Sequence, residues 1–420
     1  VSGTPSSGAA AEGESGGQSA YRWVMLGLVW LLYASFGLVR QAPAPLVEPI
    51  VRELQISYTQ MGTILGAWPL VYIGVAYLAG TMLDRIGLRR ALMLGSLVIA
   101  LSGLLRAFAD DFGTMFLAVA LFGIGGPTIS VGAPKLIAIW FRGRDRGTAA
   151  GIYTTGSVLG GVAALATANA LVLPLTGSWR ATLLVYGMVA LGAALLWALL
   201  ARDPAAADAA TKAAGAAKTG LRHLLRIRNV QLVLVMAFAA LVTSHGITNW
   251  LPVLLQRGGM TPAEAGFWAA APHVAGAAAA LVVPRLGAPG QRRRIIAAML
   301  LLATLSTIGL VVASGSLLLA ALLLHGIARA TLTPLLMLVL IETPEVGPAQ
   351  MGAAGGLYFT VGEIGGFAGP FLLGLLFDLT GTFATGVLFL TALNAAMLAA
   401  TPFIRAAPRP AAAPSAEHAG

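Results

Sequence analysis

The chain has 420 residues, of which 58% are hydrophobic and only 10% charged, at a mean hydropathy of +0.84. A soluble protein of this size carries about a quarter charged residues, so most of this chain must be dissolved in lipid, which excludes a soluble enzyme or signalling domain as its bulk. Cysteine is absent, removing disulfides, thiolate metal sites and Cys nucleophiles, and the net charge of +10 lies in loops and not in a patch fit for nucleic acid.

Residues 1–20 are small and polar and lack a basic n-region, so they read as a disordered tail, not a signal peptide. Apolar runs of roughly 17 to 25 residues, each enough to cross a hydrocarbon core of about 30 Å as a helix, then recur to the end of the chain. They lie at 23–46, 61–82, 91–109, 113–140, 149–174 and 181–201, and after the polar interruption 202–229 at 230–255, 264–283, 295–313, 317–341, 351–377 and 383–404. Transmembrane strands would alternate over about ten residues; these do not. The expected fold is an all-α integral membrane protein of twelve transmembrane helices in two six-helix bundles, 21–201 and 230–405, with a cytoplasmic central loop at 202–229 and a second disordered tail at 406–420. With the N-terminus in the cytoplasm, the inner loops and tails hold nineteen basic residues and the outer loops only Arg52, Arg180 and Arg257. That asymmetry predicts cytoplasmic termini in a cell (inner) membrane.

Four basic residues fall within spans: Arg40, Arg106, Lys135 and Arg329. A guanidinium in hydrocarbon costs about 2.5 to 3.5 kcal/mol on insertion scales, so each needs a compensating partner or a function. Arg40 closes the run before "QAP" and either binds substrate or pairs with Glu48. Arg106 lies near a span end and is expected to snorkel to the interface. Lys135 is either a substrate ligand or a residue of the inner interface. Arg329 is central in its span, with His325 four residues earlier on the same helix face, and reads as a substrate contact or as a structural arginine packed on carbonyls. Glu363 is the carboxylate farthest from both ends of its span. It either balances a buried arginine or carries a coupling proton.

The halves echo each other. "SFGLVRQAP" (35–43) lies over "SHGITNWLP" (244–252), pairing Arg40 with Asn249, each three residues before a proline where a kink is expected; His245 sits one turn before Asn249. "GAW" with "DRIG" (66–68, 84–87) lies over "GFW" with "PRLG" (266–268, 284–287), and "GIYTTGSVLGG" (151–161) over "GLYFTVGEIGG" (356–366). Repeated bundles with substrate at the repeat interface are the logic of an alternating-access carrier. The glycine patterns around Gly156 to Gly160 and Gly362 to Gly366 permit close helix approach and read as a sliding seam between the halves.

"GTMLDRIGLRR" (80–90), after the second span, resembles the signature of the major facilitator superfamily, with Gly80, Asp84, Arg85, Gly87, Arg89 and Arg90 fitting it and Pro284 standing at the aspartate position of the second half. Within it, "VRQAPAPLVEPIVRELQIS", "GAWPLVYIG" and "SGLLRAFA" look most like the cyanate and nitroimidazole permease-like branch. "GSVLGG" (156–161) is similar to the fifth-span motif of drug/proton antiporters, but with Ser157 in place of its proline. The resemblance implies that spans 1, 4, 7 and 10 line a central cavity and that the signature loop is a gate, in which Asp84 accepts from backbone N–H groups and arginines pair across the loop.

These readings converge on a secondary transporter of a small, anionic solute, held by Arg40, Arg329, Asn249, His245, His325 and Lys135, with Glu363 coupling movement to protons. The competing readings are a proton-coupled exporter of drugs or neutral solutes, which calls for acids and aromatics in the cavity, and a non-transporting membrane sensor or assembly partner. No enzymatic constellation, cofactor, metal site or nucleic-acid partner is expected; the partners are solute, lipid and protons, and the chain is expected to act as a monomer.

Overall fold

The computed structural model describes residues 8–203, 221–285 and 291–405, and within them helices of transmembrane length do what the apolar runs predict. In chain order they are α1 (Gly8–Gln41), passing through a 3-10 turn (Ala44–Leu46) into α2 (Val47–Leu54); α3 (Tyr58–Ile86); α4 (Leu88–Leu105), ending in a 3-10 turn (Arg106–Phe108); α5 (Phe112–Trp140); α6 (Gly143–Thr167), passing through a π-helical turn (Ala168–Val172) into α7 (Leu173–Thr176); and α8 (Trp179–Leu200). After α9 (Leu221–Leu224) come α10 (Arg228–Arg257), α11 (Pro262–Val282), α12 (Arg292–Val312), α13 (Gly315–Ile341), α14 (Gly347–Thr380) and α15 (Phe383–Ala400). Among the described residues eleven helices are long and apolar enough to span a membrane, or twelve when the bent pair Tyr58–Ala76 and Leu78–Ile86 is one span. Large apolar side chains such as Leu117, Leu199, Val235 and Val312 stand exposed on their outer faces, as lipid, not water, requires.

The helix ends follow local chemistry. Ser57 and Asp111 open α3 and α5 with reciprocal caps to Gln60 and Thr114. Gly177 and Gly381, at φ +69° and +72°, close α7 and α14 in the left-handed region that side chains avoid. Each lies within a Thr-Gly-Ser/Thr corner: Thr176 Oγ1 donates to Val172 O and Thr380 Oγ1 to Leu376 O, while Ser178 and Thr382 cap the next helix. The corner is a further repeat, beyond the three that the sequence alone displays.

Helix α1 starts at Gly8, so residues 8–20, expected as a disordered tail, continue the first helix; no proline stands between Pro5 and Pro43 to stop it. Residues 1–7, 204–220 and 406–420, which hold the rest of that tail, most of the central loop and the second tail, lie outside the described residues.

Two compact units result, Val1–Gly215 with Thr248–Ala270, and Ala216–Ile247 with Ala271–Gly420. They depart from the expected bundles in one respect: the end of α10 and the start of α11 group with the first unit. Local contacts explain it, because Tyr58 meets Trp250, Arg257 meets Glu48, and Gly266 brings α11 onto the Leu165 carbonyl.

The glycine patterns correct a second expectation. A Cβ on Gly156 or Gly160 would strike the backbone of Trp30 or Ala34, so these glycines press α6 onto α1 inside the first unit. Gly365 and Gly369 likewise press α14 onto Phe238 and Val242 of α10 inside the second. The seams therefore hold each unit together. They also shift the repeat register: the sequence echo sets Gly160 over Gly365, whereas the packing matches Gly160 with Gly369, one helical turn later. Gly160→Ala or Gly369→Ala is expected to lower the unfolding midpoint of the purified protein by at least about 5 °C. Gly151→Ala, whose added methyl meets open space, should leave it unchanged.

Candidate functional site

In the first unit the last turn of α1 carries Arg40. It is half-buried, and its guanidinium lies over the rings of Phe36 (5.8 Å) and Trp68 (6.0 Å). Phe36 stacks on Tyr33 and touches Phe122, Trp68 meets Tyr72 edge-on, and Tyr153 meets Tyr33 edge-on. Spacing alone explains the wall: Tyr33 and Phe36 precede Arg40 by two turns and one on the same face of α1, while α3 and α5, packed together, add Trp68, Tyr72 and Phe122. Such a wall attracts a cation through ring quadrupoles and offers an apolar surface to anything the cation binds. Glu48, the alternative partner for Arg40, accepts from Tyr58 Oη (3.0 Å) and from Arg257 Nη2 (3.2 Å).

Sequence reasoning passes over two polar residues of this unit. Gln41, 2% exposed, donates from Nε2 to Thr248 O at 3.3 Å, on the turn of α10 that carries the buried Asn249. Asn169, on the π-helical turn after α6, donates to Pro45 O (2.9 Å) and Pro262 O (3.3 Å). The available signal is a single amide in an apolar run, which hydrocarbon tolerates only when paired.

In the second unit, Arg329 Nη1 donates to Ser244 Oγ at 3.4 Å. His325, one turn earlier on α13, is 2% exposed, and neither ring nitrogen meets a hydrogen-bonding partner among the described residues. His245 follows Ser244 and lies against Gly366: a Cβ there would be 2.7 Å from both His245 Nδ1 and Glu363 Oε2. Glu363 is thus a neighbour of His245, made so by the missing side chain of Gly366. The structure brings Ser244, His245, Arg329 and Glu363 of α10, α13 and α14 into one polar cluster with His325 at its edge.

The signature loop is built differently from expectation. Asp84 accepts from Lys135 Nζ at 2.7 Å, so its partner is a side chain of α5, not backbone N–H groups. Lys135 therefore meets the signature loop, the inner-interface alternative that the sequence left open for it, because a side chain near the end of α5 reaches the end of the adjacent α3. Gly87, at φ +83°, is the single residue joining α3 to α4, which accounts for glycine there. Arg89 donates to Ala198 O (3.1 Å) in the last turn of α8, where a cation opposes the helix dipole, and Trp197 Nε1 donates back to Arg89 O (3.0 Å). Arg85 and Arg90 are exposed, and a Cβ on Gly80 would meet open space, so nothing in the structure accounts for that glycine. Arg106 does not snorkel. It is 1% exposed and donates to Val39 O and Ser102 Oγ. Among the described residues no three His, Asp or Glu side chains form a group that could hold a metal.

Comparison with known proteins gives these positions a context. The sequence profile described as Major Facilitator Superfamily matches residues 29–370. The chain is 29% identical over 377 residues to the 3-(3-hydroxy-phenyl)propionate transporter of Escherichia coli (strain K12), a match covering 86% of this chain and 89% of that protein. It is 27% identical over 203 residues to a probable sulfoacetate transporter of Cupriavidus necator, covering 48% of this chain and 46% of that protein. The crystal structure of the nucleoside transporter NupG aligns with a TM-score of 0.72 at 13% identity, covering 91% of this chain and 98% of that one, a likeness of fold alone.

The Asp84–Lys135 pair joins an exposed carboxylate to a half-buried ammonium, so solvent screens it and it adds little to stability. Asp84→Asn and Lys135→Gln should each move the unfolding midpoint by less than about 2 °C yet slow transport in proteoliposomes by about tenfold, a coupling of ordinary size. The double mutant should be no slower than either single one; additive losses would show that the two residues act separately.

Proposed function

The chain belongs to the Major Facilitator Superfamily, and from that premise we propose that it is a secondary transporter that moves a small organic anion by alternating access. The observation that carries the reading is a guanidinium at membrane depth in each unit, Arg40 on an aromatic wall and Arg329 on Ser244. A guanidinium grips a carboxylate or sulfonate through two parallel charge-assisted hydrogen bonds. The wall of Tyr33, Phe36, Trp68 and Tyr72 adds room for an apolar or planar body beside the charged head, which favours organic over inorganic anions. The named substrates of the two relatives, a phenylpropionate and sulfoacetate, each pair an acid group with a small organic body. The finer likeness to the cyanate and nitroimidazole permease-like branch rests on the stretches beginning at Val39, Gly66 and Ser102 alone.

Asn249 and His325 complete the proposed binding residues. His245 and Glu363, which both lie against Gly366, form the proposed proton-coupling pair, since a neighbouring carboxylate and imidazole can pass a proton without a bare charge appearing in hydrocarbon. The positive-inside count supports cytoplasmic termini in an inner membrane, an orientation in which the Asp84–Lys135 loop would serve as the inner gate. An exporter of cationic or neutral drugs is the competing reading.

Isothermal titration of the purified protein with 3-(3-hydroxyphenyl)propionate, galacturonate, sulfoacetate, nitrate and a cationic drug tests the proposal. At least one organic anion is expected to bind, and Arg40→Gln or Arg329→Gln to weaken it by about thirtyfold, the cost of a lost charged hydrogen-bond pair. Lys at either position should recover only part of the affinity. Binding of the cation alone, or full affinity in both Gln variants, contradicts the reading.

A further inference from the structure

Pro43 has no N–H, so the carbonyl four residues earlier in α1, that of Val39, loses its helical donor. Ala42 N reaches back to Leu38 O at 3.0 Å, and the ladder stops there. A buried carbonyl left this way in a membrane protein needs another donor. Arg106 Nη1 provides it, at 2.5 Å from Val39 O. The guanidinium is held in turn by Nη2 donating to Ser102 Oγ (3.0 Å), whose hydroxyl donates to Ala118 O (2.6 Å). Arg106 is 1% exposed and forms no ion pair among the described residues. It lies 5.9 Å from the Phe122 ring, which touches Phe36 and Trp68, the rings beneath Arg40. A charged residue kept without a counter-charge at this cost is an expensive way to close one turn, unless the placement of that turn matters.

The repeat shows the same device. Pro252 frees the carbonyl of Thr248, the repeat partner of Val39, and Gln41 Nε2 donates to it at 3.3 Å. Each capped carbonyl belongs to the residue immediately before a candidate ligand, Arg40 in one case and Asn249 in the other. Gln41 is itself carried by the turn that Arg106 holds.

We propose that Arg106 is a positioning residue: by supplying the hydrogen bond that Pro43 cannot, it fixes the broken turn of α1 and so sets where Arg40 presents its guanidinium and where Gln41 reaches the broken turn of α10. The proposal rests on the reading of Arg40 as an anion ligand, but the cap itself can be judged apart from it. Pro43→Ala restores an N–H opposite Val39 O and makes the arginine's hydrogen bond redundant.

The test compares the parent with Arg106→Gln, Arg106→Lys, Pro43→Ala and the Arg106→Gln/Pro43→Ala double mutant, purified at full length. Unfolding midpoints and titration with 3-phenylpropionate are the two readouts. Arg106→Gln is expected to weaken binding about tenfold and lower the midpoint when residue 43 is proline. In the Pro43→Ala background it should weaken binding less than about twofold and leave the midpoint unchanged. Arg106→Lys should fall between, since a single ammonium nitrogen lacks the planar fork that aims separate nitrogens at Val39 O and Ser102 Oγ. Equal midpoint penalties in both backgrounds overturn the cap. A midpoint coupling with unaltered affinity overturns the positioning role and leaves Arg106 structural. If the parent binds none of the organic anions, the functional reading fails and the positioning of an anion ligand falls with it, while the cap stands or falls on the midpoints.

Discussion

Hydrocarbon does not solvate a cation, and the cost of placing one there is several kcal/mol unless the protein supplies what water would. Four cations of this chain lie within spans, and each meets that constraint with a different chemistry. Arg40 lies on aromatic faces, Arg106 donates to a carbonyl and a hydroxyl, Lys135 meets the Asp84 carboxylate, and Arg329 donates to Ser244. The compensations separate the roles. Lys135, with a full counter-charge and partial exposure, is satisfied locally and serves the loop. Arg106 donates to a backbone carbonyl and a hydroxyl and, as proposed, serves the helix that it caps. Arg40 lies over an aromatic wall and Arg329 donates to a hydroxyl, and the proposed anion would be met at these two guanidiniums.

Backbone carbonyls obey the same constraint. Pro43, just after α1, and Pro252, within α10, interrupt the backbone ladder beside the proposed ligands Arg40 and Asn249, and each interruption leaves an acceptor. Side-chain donors from distant parts of the chain close them, Arg106 and Gln41 at the repeat-related turns and Asn169 at the carbonyls of Pro45 and Pro262. In the first unit the ends of α3 carry two charged clusters, Asp84 with Lys135 at one end and Tyr58 with Glu48 and Arg257 at the other. The aromatic wall under Arg40 lies between them along the same helix, at Trp68 and Tyr72.

The sequence carries the fold clearly because a lipid-spanning helix announces itself by length and hydropathy, and the spans from α3 to α15 stand close to where the apolar runs put them. It carries the identities of the charged residues for the same reason: a charge in an apolar run is conspicuous. It does not carry their partners. Lys135 and Asp84, or Arg106 and Val39, meet only through the rotation of packed helices, which no local pattern encodes; charge and depth alone therefore assign Lys135 to the substrate and Arg106 to the interface. The glycine seams are legible as close contacts, but not as contacts within a unit, since small residues specify proximity and not the neighbour. Gln41 is visible in principle: a proline four residues after a span carbonyl marks a missing donor, and a lone amide in a neighbouring apolar run marks a candidate to replace it.

The central claim is that a negative charge on the solute is what the buried guanidiniums recognise. Entrance counterflow in proteoliposomes tests it most directly, using a labelled aryl carboxylate outside and, inside, either the same acid or its neutral primary amide, which has nearly the same shape. The account predicts transient accumulation of label against the acid and none against the amide. Equal counterflow from the amide, or from a cationic amine of the same skeleton, would contradict it.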